Sequence, residues 1–563
     1  MFWSLTGTHS SRKRSKKAED HNQRGKETSE FGRPWNWRVY SGVPFQLQAC
    51  WGDPKLVGLS EHVIIKQVLE SPKGDDCYVH LLKNKYELEG KQLKASGDAN
   101  KPSFFLFDGN IWSELKDIDV RQAVRAFGQD VVDKLLACFG SARFDAEAKS
   151  EATDKIDAQL HSLFQAKQQL QKSANTNSIC ASGKEILWDK EFAKKLDQNP
   201  DFLAVKNGVI DLVTGDIRQG QPSDYVSKAI ETEYLGLDYP CRDIQDFFNS
   251  IFDDQHMVEY VQRLLGYGIT GHTREQKFVI MTGVGSNGKG VLYQILDSLL
   301  SGWAKKPMDP DCILKRGRPS GKGAATPYLS QLAGARIAIC DEVGDDPVLD
   351  EEIVKRMTGE STMTARALYS NPVDFKATHL PILLSNCLPK ININDAAILR
   401  RLVVVPFAMI FKEEAEIDCE NPSHKLMDKK LATIECRQQL LTWLVQGAVA
   451  WQRDGLGGLP KKMKDAMKSY VADNDLLQEF LDEDCDVGAD YEVMTTRFHA
   501  LFIKKKGRVS DKELAKMMEG RGFTKKITRS FPQRAMKWQG VLIRDIDQDV
   551  QQNVEFLHDD DDD

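Results

Sequence analysis

The chain has 563 residues, with 76 Lys and Arg against 83 Asp and Glu and a formal net charge of −7. That length suggests about three or four domains at roughly 150 residues each. With 41% hydrophobic and 28% charged residues, the composition excludes disorder throughout and collagen-like repeats. No run of about 18 apolar residues occurs, so no spanning helix and no membrane partner are expected. After Met1-Phe2-Trp3 the chain turns polar and then basic, without the apolar stretch of a secretion signal. The cysteines, scattered from Cys50 to Cys485, form no CxxC pair and no zinc-type cluster with His. Reduced thiols are expected, with neither disulfides nor a structural zinc.

Residues 1–35 read as a disordered tail carrying the run Arg12-Lys13-Arg14-Ser15-Lys16-Lys17. That run reads as a nuclear-import signal, a DNA-binding arm or a plain solvated tail. Residues 36–175 read as a mixed α+β region with a helical connector. Phe104 to Phe107, then Asp108-Gly109-Asn110, predict a strand and a turn leading to Trp112. Apolar spacing predicts a helix over 119–138 and a polar helix over 145–172. Asp117-Ile118-Asp119 is the one DxD of the first 180 residues, and it reads as the charged start of that helix. Residues 202–228 read as short strands broken by turns at Asn207-Gly208 and Thr214-Gly215. Residues 242–268 read as helical.

An apolar run, Lys277 to Thr282, then meets Gly283-Val284-Gly285-Ser286-Asn287-Gly288-Lys289-Gly290, and helical periodicity follows from Val291. Strand, GxxxxGK and helix is the layout that phosphate binding needs. Glycines let backbone N–H groups curl around phosphate oxygens, and the helix N-terminus adds free donors. Lys289 reaches the β- and γ-phosphates as a point charge. Gly290 stands where a Ser or Thr usually ligates magnesium.

Arg336 to Cys340 reads as a buried strand ending in Asp341-Glu342. Asp341 suits a magnesium ligand and Glu342 the polarisation of an attacking water. The other reading is a solvated acidic turn, since five more acids follow by Glu352. Met363 to Thr378 reads as a β-hairpin with a polar tip. Arg366, Lys376 and the adjacent His379 could hold phosphate backbone in a pore, or be ordinary solvated positions. Leu380 to Ser385 is a further strand, ending at Asn386, which could sense the γ-phosphate or simply cap a turn. Arg400-Arg401 precede another strand, and either could reach a neighbouring subunit's nucleotide or form a surface ion pair. Between Arg497 and Lys537 stand thirteen Lys and Arg against three acids. Helical spacing there, and a strand over Trp538 to Ile543, suggest a small winged-helix-like domain on DNA, or a lid on a neighbouring subunit. Asp559 to Asp563 make an acidic tail.

In order and spacing these elements resemble the superfamily 3 helicases, and more closely the phage, plasmid and poxvirus type of replicative primase–helicase. The matching segments include Leu265-Gly266-Tyr267, Gly283 to Gly290, Leu332 to Arg336 with Asp341-Glu342, and Lys355 to Glu360 leading to Arg366. Phe375-Lys376, Leu384-Ser385-Asn386, Arg400-Arg401 with Pro406-Phe407, and Gly447 follow. Upstream, Asn207-Gly208 with Asp211 and Thr214-Gly215 resembles the domain that precedes such cores. The match covers about residues 180–485. It implies a multidomain chain with an α/β P-loop, AAA+-like ATPase core over 246–420. A preceding domain over 176–245, a helical continuation over 421–488, a basic winged-helix-like domain over 489–550 and an acidic tail over 551–563 complete the expectation.

The resemblance further implies a hexameric ring that binds ATP and magnesium between subunits and tracks along single-stranded and forked DNA. Lys289, Asp341, Glu342 and Asn386 would act in cis, Arg401 or Arg400 in trans, and the hairpin would line the channel. A primase or polymerase partner is expected to be separate, since the upstream region offers no second cluster of carboxylates. A eukaryotic nucleus, or a virus replicating there, is the expected location, with the cytoplasm as the alternative. Two other functions stay open: a ring ATPase that remodels protein or RNA, and a non-catalytic DNA-binding protein.

Overall fold

The computed structural model describes residues 74–544, apart from 100, 149–152, 301–302, 304–307, 311–312, 316–326, 342–343, 345–346, 360–361, 366–372, 414–420, 422–423, 427–433, 508 and 529–534. The chain is a multidomain α/β protein with mixed sheets, and it divides into two units. One takes in the described residues up to Glu89 together with 115–188; the other takes in 90–114 and everything from Asp189 onward.

The first unit is helical: α1 (Asp75–Leu88), α2 (Asp117–Ala148), α3 (Asp154–Gln171) and α4 (Ser173–Ile186). The polar stretch expected to be one connector over 145–172 is instead the end of α2 and all of α3. Ile156, Leu163, Ala166 and Leu170 give α3 a buried stripe. Its polar face pairs with α2 through Arg143–Asp157 and Lys167–Asp133 (2.6 Å), a register that sets the two helices antiparallel. Asp117 opens α2 and pairs with Lys184 at 2.8 Å. The DxD therefore has the structural role read from the sequence.

The second unit opens with an antiparallel meander, β1 (Gln92–Asp98), β2 (Lys101–Phe107) and β3 (Trp112–Leu115). It packs on the short α5 (Phe192–Lys195), where the Phe192 ring meets Trp112 edge-on at 4.6 Å. A small sheet follows: β4 (Phe202–Val205), β5 (Gly208–Asp211), β6 (Ile217–Arg218) and β7 (Ala229–Ile230), in the order β6-β5-β4-β7. The helical stretch predicted over 242–268 splits into α6 (Arg242–Phe252) and α7 (Gln255–Gly268). Asp253 takes a left-handed φ of 46° and ends α6. The Asp254 carboxylate then accepts from the N–H groups of His256 and Met257 and starts α7.

The central sheet is parallel and has four strands: β8 (Phe278–Thr282), β9 (Ile337–Asp341), β12 (Leu380–Ser385) and β13 (Leu402–Pro406), in the order β13-β8-β12-β9. Helix α8 (Lys289–Leu300) follows β8. Helix α9 (Glu351–Thr358), the hairpin β10 (Thr362–Ala365) with β11 (Val373–Lys376), and the short α10 (Ala396–Leu399) fill the later connections. The strands are apolar throughout because both faces are covered. Val279, Met281, Ile339 and Val405 face α6, α7 and α8. The alternate residues Phe278, Ile280, Cys340 and Val404 face α9 and the hairpin.

Helix α11 (Ile434–Asp454) lies against α7 and also meets α6, where Trp443 stacks on Phe248 at 4.1 Å. Here two glycines of the sequence match acquire a cause. A methyl on Gly266 would sit 2.2 Å from the Ala448 nitrogen, and one on Gly447 would sit 2.2 Å from the Gln262 oxygen. Only hydrogen fits where the two backbones cross. Helix α12 (Lys461–Asp473) then covers β13. The chain finishes with α13 (Leu476–Asp484), β14 (Cys485–Met494), α14 (Thr495–Lys506), α15 (Asp511–Gly520), β15 (Thr524–Thr528) and β16 (Ala535–Ile543). Its antiparallel sheet runs β14-β16-β15 around a core of Phe480, Phe498, Phe502, Met518 and Trp538. β14 was not legible in the sequence, because five of its residues from Gly488 to Glu492 are polar, small or exposed.

Candidate nucleotide site

The four parallel strands end together, so the side chains just beyond them share one edge of the sheet. Register puts Thr282 of β8 beside Ser385 of β12, and Leu384 beside Asp341 of β9. β8 is also where the strand order reverses, since β9 lies on one side of it and β13 on the other. Such a switch point opens a crevice at the C-terminal ends of the strands.

The glycine loop fills that crevice. Ser286 takes a left-handed φ of 57°, and its carbonyl accepts from the Phe411 N–H at 2.6 Å. Gly283 cannot carry a side chain: a methyl would sit 2.3 Å from the Phe407 oxygen and 2.5 Å from Asn287 Nδ2. Asn287 is buried, and its Oδ1 accepts from the Lys289 N–H at 3.3 Å. Phe411 is a site neighbour that the sequence did not reveal; it acts through its backbone, which leaves no residue-type signal.

Lys289 is the centre of the arrangement. It is only 7% exposed, and Nζ donates to the Gly283 oxygen at 2.6 Å and to Asn386 Oδ1 at 3.1 Å. Burial lowers its pKa, and the nearby Asp341 carboxylate opposes that shift. An ammonium is expensive to bury without partners, and here a carbonyl, an amide oxygen and a carboxylate hold it at the strand ends. Lys289, Asp341 and Asn386, predicted from three separate motifs, thus meet. Val284, Gly285 and Ser286 are exposed on the loop, and Gly290 is exposed in the first turn of α8. A methyl on Gly290 would meet nothing within 4 Å, so the missing hydroxyl at that position is not a steric demand.

A triphosphate suits these groups on an observation independent of the motif. Asn287 Nδ2 is buried and has no hydrogen-bond partner among the described residues. An orphaned donor beside a buried ammonium and a run of loop N–H groups suits an anion. For magnesium, Asp341 is the described carboxylate at this edge. No group of three or more metal-binding side chains occurs among the described residues.

Other candidates fall elsewhere. Glu342 and Arg366 lie outside the described residues, as does the hairpin tip. Lys376 is exposed on β11, as a phosphate contact requires. His379 is not: it is 1% exposed and neither ring nitrogen has a partner among the described residues. Burial pushes its pKa down to about 4. A neutral, enclosed imidazole does not hold a phosphate backbone, so that expectation is corrected. The arginines divide unexpectedly. Arg401 is buried, with Nε donating to Thr358 Oγ1 at 3.0 Å and a terminal nitrogen donating to the Ala397 oxygen at 2.6 Å. Arg400 is exposed and touches Gln276 Oε1 at 3.2 Å. Arg401 is thus held by two buried contacts within its own fold, whereas Arg400 is on the surface.

Upstream of the site, residues 85–253 match the family described as D5 N terminal like. A protein of Acanthamoeba polyphaga mimivirus, provisionally named a helicase, is 34% identical over 283 residues, covering 49% of this chain and 29% of that protein. Another provisional helicase, from Invertebrate iridescent virus 6, is 25% identical over 445 residues, covering 69% and 45%. The chain is thus similar to the D5-type family over its upstream part and to viral proteins provisionally named helicases over a longer stretch. Among solved structures, the apo C-terminal region of NrS-1 is similar with a TM-score of 0.40 and 11% identity, over 82% of this chain and 98% of that one. The match spans under half the length of either viral relative. The D5-like segment ends at Asp253, just after α6 and ahead of β8 and the glycine loop.

Proposed function

We propose that the protein is an ATP-dependent replicative DNA helicase subunit, with a superfamily 3 P-loop core, that assembles as a ring around single-stranded DNA. The observation that carries this reading is the meeting of Lys289, Asn386 and Asp341 at one edge of a parallel sheet. Loop N–H groups and Lys289 would take the β- and γ-phosphates. Asn386, whose amide now contacts Lys289, would turn to the γ-phosphate. Asp341 would hold magnesium, which when bound neutralises charge developing on the transferred phosphoryl group. Glu342, the next residue, would polarise the attacking water. Arg400 would complete the site of the neighbouring subunit. The hairpin β10–β11 would carry Lys376 to the strand in the channel.

ATP hydrolysis by the purified chain, with and without single-stranded DNA, tests this. Stimulation by DNA, lost in Glu342→Gln, is the expected result. Turnover indifferent to DNA would move the assignment to a ring ATPase acting on protein or RNA.

A further inference from the structure

Helix α12 carries charge that the nucleotide site does not use. One side of it is core. Met463 and Tyr470 are fully buried, Ala466 and Met467 pack beside them, and the Tyr470 hydroxyl donates to the Pro389 oxygen. At about 100° per residue, Lys461, Lys464 and Lys468 fall within a ~60° arc opposite Met463 and Tyr470. All three are exposed. Asp465 borders the arc, yet no ion pair joins it to any of the three. Lys462 lies to one side and donates to the Phe252 oxygen at 3.2 Å.

The basic C-terminal domain is different. There Lys505 pairs with Asp484, Lys506 with Glu479 and Glu483, Arg521 with Asp475, and Lys537 with Glu492. Much of the positive excess counted between Arg497 and Lys537 is therefore neutralised by acids earlier in the chain. The charge left without acidic partners among the described residues includes the α12 stripe. That helix packs on the same face of the central sheet as the hairpin, since Tyr470 shares a core with Met363 and Ala365.

We infer that Lys461, Lys464 and Lys468 form a docking track for the phosphate backbone of a DNA strand. The inference rests on the helicase reading and adds a second contact surface to it. Charge complementarity selects the occupant. The stripe rises about 10 Å at 1.5 Å per residue, close to three nucleotide steps of about 3.4 Å. Lysines recognise phosphate as point charges and read no bases, so the track is indifferent to sequence.

The test is a salt titration of binding between the full chain and a labelled single-stranded oligonucleotide, comparing the parent with Lys461→Ala/Lys464→Ala/Lys468→Ala. Exposed lysine-to-alanine changes on a good helix leave the fold intact. The expected result is a loss of about tenfold or more in affinity at moderate salt. The slope of log affinity against log salt should shrink by about 2, from three contacts at ~0.7 each. ATP turnover without DNA should be unchanged. Parent-like affinity and slope in the triple variant overturn the track while leaving the helicase reading standing. Loss of self-assembly without loss of strand binding overturns it too, and makes the stripe a subunit contact. A parent that binds no nucleic acid overturns both.

Discussion

The cations at the nucleotide edge and those on the outer surfaces work under opposite physics. Lys289 is buried, bonded on two sides and faces a carboxylate. Its energy lies in fixed geometry at low dielectric, where one misplaced group changes the result by orders of magnitude. Lys376, Lys461, Lys464 and Lys468 are exposed, and each adds a small, salt-screened increment to a summed field. The first kind of site should fail all at once and the second by degrees.

The sharpest way to test that contrast is Lys289→Ala. Turnover should fall by about a thousandfold or more, since a preorganised charge at the phosphates is lost. Thermal stability should hold or rise slightly, because a partly desolvated ammonium no longer has to be accommodated. Calorimetry alongside the ATPase assay reads both. A variant that unfolds would show that Lys289 is structural and would break the comparison.

The same contrast explains what was legible in the sequence. The glycine loop, the acid at the end of β9 and the asparagine after β12 are each local patterns, and parallel register alone brings them together. The multidomain α/β class was readable for the same reason: apolar strands with buried faces alternate with helices. What the sequence hid were facts of tertiary partnership. Thirteen cations stand between Arg497 and Lys537, but four of them, Lys505, Lys506, Arg521 and Lys537, pair with Asp475, Glu479, Glu483, Asp484 and Glu492 from upstream elements. The lysines of α12 drew no attention because the spacing that aligns them matters only once Met463 and Tyr470 fix which side is buried. The helix break at Asp253 was not legible because a left-handed residue followed by a cap is a one- or two-residue event inside an otherwise helical pattern.

Arg400 and Arg401 place both kinds of charge side by side, and their alanine variants should separate. Arg401→Ala removes charged donors from Thr358 Oγ1 and the Ala397 carbonyl, which should cost about 3 kcal/mol of stability. Arg400→Ala should leave stability within about 0.5 kcal/mol and reduce turnover about a hundredfold, with ATP still bound. Denaturant unfolding and nucleotide-binding titrations distinguish the two. If Arg401→Ala keeps full stability and loses only turnover, the trans role passes to Arg401.

His379 gives the smallest effect and one with a defined sign. Its ordinary pKa is about 6.5, and burial holds it near 4 in the folded chain. The unfolded chain takes up a proton as pH falls through 6.5, and the folded chain does not do so until about pH 4. The folded state binds fewer protons across that window, so stability is full above 6.5 and declines as pH drops toward 4. Both ring nitrogens lack partners among the described residues, so an apolar side chain of similar size satisfies the site at least as well. His379→Leu should match or exceed the parent in stability at pH 7. It should also flatten the decline between pH 6.5 and 4 by up to about 3 kcal/mol, read from urea unfolding midpoints at stepped pH. DNA binding should be untouched at neutral pH. A loss of strand affinity in His379→Leu, with stability preserved, would return His379 to the channel and end the contrast between enclosed and outward-facing polar groups.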